Sequence, residues 1–81
     1  MKKYYEIYFQ VLDLGVPREM ERMVWQSNLA EPRNEIKDHL KKIKYGDSYE
    51  GGVGKEIIIL KLTQITENDY NLINKQIVAG Q

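Results

Sequence analysis

Polar and apolar positions alternate along residues 3–12, the first patterned segment of the chain. One row consists of Tyr5, Ile7, Phe9 and Val11, and the intervening row of Tyr4, Glu6, Tyr8, Gln10 and Leu12. Alternate side chains of a strand point to opposite faces, so the pattern predicts a strand with one buried face. The second row is more aromatic than a solvent-exposed face usually is, which makes that face a candidate contact surface.

The next segment, residues 18–27, is compatible with two structures. As a strand it pairs with the first one across a turn at 13–17. As a helix it begins beside Pro17, which suits a first helical position, and its methionines lie at helical spacing. We favour the strand, because Val24 and Trp25 at its centre have high strand propensity and the turn has hairpin length.

Two later segments carry helical periodicity. Residues 31–44 place three apolar side chains at i, i+4 and i+7, which predicts one buried stripe. Residues 67–78 follow Thr66, a residue type that caps helix N-termini. The predicted buried stripe of the first helix consists of Ile36, Leu40 and Ile43, and that of the second of Tyr70, Ile73 and Ile77.

Residues 55–65 predict a third strand. Its run from Ile57 to Leu60 is apolar without alternation, which is typical of a strand covered on both faces and favours a central position in the sheet. The predicted fold is α+β, a three-stranded, mainly antiparallel sheet with two helices on one face, in the order β-β-α-β-α. The order becomes β-α-α-β-α if residues 18–27 are helical.

The chain of 81 residues forms one domain, residues 1–81. Two helices on one face leave the other face of the sheet uncovered, although it carries aromatic and apolar side chains. A protein partner, a second copy of this chain or the glycine-rich segment 45–54 is therefore expected to cover it.

Tyrosine and tryptophan are enriched in protein interfaces, and this chain has six and one of them respectively. We expect partner contacts from three aromatic side chains of the sheet and two of the glycine-rich segment. They are Tyr4, Tyr8 and Trp25 in the sheet, and Tyr45 and Tyr49 in the segment. For Trp25 the favoured interpretation is a core or boundary residue that packs on the first strand, and the interface contact is the alternative.

Charge argues against a dedicated nucleic-acid-binding protein, because 12 basic and 12 acidic residues give a net charge of zero. The first helix nevertheless sorts its charges into a basic ridge at helical spacing. The ridge consists of Arg33, Lys37, Lys41 and Lys44. An ordinary solvated helix face is one interpretation of this ridge, and contact with nucleic acid or an acidic protein is the alternative.

The chain has no cysteine, which fits a reducing cytoplasm. Its longest strictly aliphatic run, Ile57 to Leu60, is far shorter than the ~20 residues that cross a bilayer. We therefore expect a cytoplasmic protein that is not bound to a membrane.

No catalytic, metal or cofactor site is predicted. The segment from Gly51 to Lys55 resembles a phosphate-binding loop, but Tyr49 stands where the first glycine is required and the segment leads into a strand. The single histidine, His39, is expected to pair with Glu35 one helical turn away. Without cysteine, a zinc site at His39 would need carboxylates alone.

These patterns favour a small non-enzymatic protein-binding module, an inhibitor or adaptor that acts through the aromatic sheet face, with a homodimer as one form of the contact. The nucleic-acid-binding domain described above is the alternative. Small size, neutral charge and the lack of cysteine make the chain similar in style to accessory proteins of bacteria, phages and mobile elements, which often bind and block a larger protein. No motif carries this resemblance.

Overall fold

The computed structural model describes residues 1–45 and 55–80 of the chain. It contains three strands and two helices in the order β-β-α-β-α, which confirms the predicted α+β class. The elements are β1 (Lys3–Asp13), β2 (Val16–Ser27), α1 (Arg33–Tyr45), β3 (Lys55–Ile65) and α2 (Glu67–Ala79). Residues 18–27 therefore form a strand, as favoured from the sequence, and the helical alternative is wrong.

The central strand is β1, and the sheet order is β2-β1-β3. Both neighbours pair with β1 in antiparallel fashion, so β2 and β3 run parallel to each other. Parallel strands need a crossover connection, and α1 provides it. The prediction that the third strand lies in the middle is wrong, because the hairpin and the crossover place one strand on each side of β1.

A two-residue turn joins β1 to β2. Leu14 and Gly15 both have positive φ angles, 52° and 76°, and Asp13 pairs directly with Val16 across the turn. Positive φ at both central residues is the feature of type I′ hairpin turns, whose twist matches that of the strands. Pro17 is tolerated because β2 is an edge strand.

The core lies between α1 and one face of the sheet. Tyr5, Ile7 and Phe9 of β1 are buried against Ile36 and Leu40 of α1, and Ile57 of β3 completes the cluster. We call this side of the sheet the core face and the opposite side the Tyr face. The alternation of apolar side chains in β1 is thus confirmed as the origin of the core.

A bulge in β3 follows Ile59, near the end of the apolar run. Phe9 pairs with Ile59 whereas Tyr8 pairs with Lys61, so Leu60 has no partner residue on β1. The extra residue shifts the alternation. The core face of β3 therefore carries Ile57 and Ile59 before the bulge and Leu62 after it, and the apolar run does not indicate a central strand.

The helices pack on opposite faces of the sheet, so the prediction that both lie on one face is wrong. Tyr5 is buried beneath the segment leading to α1, and its hydroxyl donates a hydrogen bond to the Leu29 carbonyl over 2.8 Å. The ring of Tyr4, the preceding residue, lies 5.1 Å from the ring of Tyr70 in α2. Consecutive strand residues point to opposite faces, so α2 covers part of the Tyr face.

The cap and the buried stripes predicted for the two helices are confirmed only in part. The Thr66 hydroxyl accepts a hydrogen bond from the Asp69 amide over 3.1 Å, as predicted for an N-cap. Ile43 is 60% exposed, however, and does not belong to the buried stripe of α1. Tyr70, Ile73 and Ile77 are half-buried, and no residue of α2 is fully buried.

Candidate functional site

An ion pair occupies the middle of the Tyr face. Arg22 of β2 donates hydrogen bonds to Glu6 of β1 from Nε over 2.8 Å and from its terminal nitrogen over 2.5 Å. The Glu6 side chain is 15% exposed and that of Arg22 33% exposed. The same guanidinium lies 5.8 Å from the centre of the Tyr8 ring, within the range of a cation–π contact. Tyr8 is thus held in place by its neighbours on the sheet.

The end of the Tyr face beyond this ion pair is closed by α2. Tyr4 pairs with Ile65, the last residue of β3, and its ring packs against Tyr70. The pKa of Tyr4 is raised above 10.0, first because burial disfavours the charged phenolate and then because Glu67 lies beside it and forms a hydrogen bond with it. Tyr4 is therefore an internal contact of the folded chain.

The other end of the Tyr face is not covered by α2 or by any other element within residues 1–45 and 55–80. Met20 of β2 is 55% exposed and Leu60 of β3 is 49% exposed, and Tyr8 and Ile58 between them are half-buried. We call these four residues the open patch. Met20 and Ile58 both pair with Gln10, so they flank the same level of β1. The Gln10 amide donates a hydrogen bond to the Arg18 carbonyl over 2.9 Å, so the polar side chain at this level has a partner.

One cation and one anion border the open patch along β3. Lys61 pairs with Tyr8 at one end and Glu56 pairs with Leu12 at the other, and both side chains are exposed. The partners of Lys61 and Glu56 on β1, Tyr8 and Leu12, each lie two residues from Gln10, on opposite sides of it. Neither forms an ion pair with any residue in the described ranges.

Trp25 lies on the core face and does not share a surface with Tyr4 and Tyr8. It pairs with Tyr5, and its indole nitrogen donates a hydrogen bond to the Glu35 carboxylate over 2.5 Å. Its ring lies 4.5 Å from the His39 ring. The interpretation of Trp25 as a boundary residue packed in the fold is therefore confirmed. Glu35 contacts Trp25 instead of the predicted partner, His39.

The structure separates the other predicted site residues. Tyr45 is the last residue of α1, and Tyr49 lies outside the described residues, as does most of segment 45–54. In the basic ridge, Arg33 and Lys41 are exposed and Lys37 is half-buried. Lys44 lies in the last turn of the same helix. This ridge belongs to α1 on the core side of the sheet, away from the open patch.

Within residues 1–45 and 55–80, no group of three or more His, Cys, Asp or Glu side chains is arranged to hold a metal ion. Neither of the two described helices has the length and apolar character needed to cross a membrane.

Comparison with known proteins adds no functional information. No family model matches the chain, and no curated protein and no solved structure matches it significantly.

Of the four residues of the open patch, only Tyr8 is a contact residue predicted from the sequence; Ile58 and Leu60 belong to the apolar side expected to need cover, and Met20 is not among the predicted contacts. A signal for Met20 was present, because pairing of the two hairpin strands places an apolar side chain of β2 beside the tyrosine row. The exposure of Leu60 could not be predicted, because it depends on the bulge and on the edge position of β3.

Proposed function

We propose that this chain is a small protein-binding module whose contact surface is the open patch. The observation that carries the proposal is the exposure of Met20 and Leu60 beside Tyr8, at the end of the Tyr face that α2 leaves open. Methionine and tyrosine are enriched in interface cores, where they provide large contact areas. The Glu6–Arg22 ion pair, which is internal to the chain, supports this surface because it holds Tyr8 in one position.

The proposed role is that of an inhibitor or adaptor in the cytoplasm, without catalytic activity of its own. The absence of cysteine from the sequence supports this location.

Position-specific photo-crosslinking tests the proposal. A photoreactive phenylalanine analogue replaces Leu60 in one variant and Leu72 in a matched control, because Leu72 is 58% exposed but belongs to α2. We expect a covalent protein adduct from position 60 in cells and none from position 72. The substitution Met20→Lys in the same background should abolish the adduct, since it places a charge in the patch.

Two results would overturn this proposal. One is the absence of any adduct from position 60. The other is an adduct of equal yield from positions 60 and 72, which would indicate random collision.

The basic ridge supports a second candidate, a nucleic-acid-binding domain. Arg33 and Lys41 are exposed on one side of α1, and neither forms an ion pair within the described part of the chain. Binding through these cations would weaken steeply as the salt concentration rises. A labelled oligonucleotide that fails to bind at low salt, or binds equally to the Arg33→Glu/Lys41→Glu variant, would exclude this candidate.

A further inference from the structure

We infer that the open patch binds the open patch of a second copy of this chain, about a twofold axis that crosses the three strands at the level of Gln10. This inference rests on the proposed function and names the partner. It follows from the symmetry of the charges around the patch and from the position of α2.

Rotation about this axis places charged side chains of β3 opposite side chains of the other sign in the second copy. Lys61 lies at the Tyr8 level and Glu56 at the Leu12 level, on either side of Gln10. A twofold axis perpendicular to the strands keeps β3 over β3 of the second copy and reverses its direction. Lys61 of each copy then faces Glu56 of the other, which forms two equivalent ion pairs from groups that are unpaired within the described residues of one chain.

The apolar side chains of the patch lie at or near the level of the proposed axis. Met20 and Ile58 flank Gln10 at the level of the axis, so each meets its own counterpart in the second copy. Tyr8 lies two residues from Gln10, at the level of Lys61, and Leu60 immediately precedes Lys61 in β3. The apolar centre is thus bordered by opposite charges, which is the arrangement of a polar rim around an interface core.

The position of α2 permits this contact. Stacked sheets lie about 10 Å apart, which is close to the distance between packed helices. The second sheet can therefore occupy the same layer as α2, beside it, over the half of the Tyr face that α2 does not cover. Because the strands of the two copies run in opposite directions, each α2 lies beyond the open end of the other sheet.

The size of the patch predicts a weak dimer. Three strands at about 4.8 Å and five residue levels at about 3.3 Å give a projected footprint of roughly 240 Å². A standard stable interface buries about 800 Å² on each partner. We therefore expect a concentration-dependent equilibrium between monomer and dimer in the micromolar to millimolar range.

Sedimentation equilibrium with charge-reversal variants tests the inference. Lys61→Glu and Glu56→Lys should each weaken the dimer by roughly tenfold, because each change places like charges together at both symmetric contacts. An equimolar mixture of the two single variants should form a heterodimer, since opposite charges then meet at both contacts. The double variant should dimerise as the original chain does.

Matched controls are available on α1. Lys42→Glu and Asp38→Lys reverse exposed charges away from the patch and should leave the dissociation constant unchanged. Circular dichroism of every variant establishes that it is folded, so that loss of the dimer is not loss of structure.

The results separate this inference from the proposed function. A chain that remains monomeric at every concentration, or a dimer insensitive to both reversals and to their combination, overturns the inference. If position 60 then still crosslinks to a different protein, the proposed function stands with another partner. A monomeric chain without adducts overturns both.

Discussion

The indole nitrogen of Trp25 donates a hydrogen bond to the Glu35 carboxylate over 2.5 Å, which ties β2 to α1. The His39 ring packs on the same indole from one turn further along the helix. The only tryptophan of the chain therefore reports on the contact between α1 and the core face. The fluorescence of Trp25 can therefore be used to follow the unfolding of the chain.

Loss of the Glu35 contact should destabilise the fold. Glu35→Ala leaves the partly buried indole nitrogen without its charged acceptor, and we expect the free energy of unfolding to fall by about 1.5–3 kcal/mol. Urea unfolding followed by Trp25 fluorescence measures this change. Asp38→Ala is the control, since Asp38 is exposed on the same helix and its loss should cost less than about 0.5 kcal/mol. Equal effects of the two substitutions would contradict the assigned contact.

The two isoleucines of the predicted α1 stripe should differ in their contribution to stability. Ile36 is fully buried, and Ile36→Ala should lower the free energy of unfolding by about 2–5 kcal/mol through lost burial and an unfilled cavity. Ile43 is 60% exposed, so Ile43→Ala should cost less than about 1 kcal/mol. Thermal and urea unfolding of both variants measures the difference, and a comparable loss at the two positions would show that Ile43 is buried after all.

The ion pair of the Tyr face should be energetically coupled. A double-mutant cycle with Glu6→Gln and Arg22→Met should give a coupling energy of about 1–3 kcal/mol, because both groups are largely shielded from water. The Asp13–Arg18 pair near the hairpin turn is the comparison. Its atoms lie 3.1 Å apart but the Arg18 side chain is 62% exposed, so we expect about 0–1 kcal/mol there. A larger coupling at the Asp13–Arg18 pair would refute this ranking.

Alkaline pH should weaken the contact between α2 and the sheet. The pKa of Tyr4 is raised above 10.0 in the folded chain, first by burial and then by Glu67, so the folded state holds the phenolic proton more tightly than the unfolded state. The resulting stability is fully present below pH 10 and is lost as the pH rises through the folded pKa. Because the chain has six tyrosines, the difference between ultraviolet phenolate titrations of the original chain and of Tyr4→Phe measures this pKa, and Glu67→Gln should lower it.

The corresponding control is Tyr4→Phe, which removes the titrating group. The original chain should lose stability relative to this variant only above pH 10. Parallel stability curves of the two chains through that range would contradict the raised pKa.

The sequence predicts the elements of this fold better than their arrangement. The alternation of Tyr5, Ile7 and Phe9 and the cap at Thr66 are local features, so a strand and a helix start follow from a few adjacent residues. The side of the sheet on which α2 packs depends on Tyr4 meeting Tyr70, and these residues are far apart in the sequence. Local patterns do not determine such a contact.

The candidate site shows the same limit. Tyr8 was identified because it belongs to the row beside the core, and its position on the Tyr face follows from alternation. Trp25 was grouped with it on residue type alone, although the hairpin register places Trp25 beside Tyr5 on the other face. The apolar run places Leu60 in a predicted central strand, because the bulge that exposes Leu60 cannot be recognised from the sequence of the run.

Oxidative footprinting of the methionines tests whether the open patch is a protein contact surface, since the three methionines differ in exposure. Met1 is fully exposed, Met20 is 55% exposed within the open patch, and Met23 is half-buried on the core face. If the patch is a protein contact surface, Met20 should be protected from hydroxyl radicals in cells and become reactive when the purified chain is diluted, whereas Met1 and Met23 should not change. Oxidation of Met20 to the same extent in cells and in dilute solution would contradict the account.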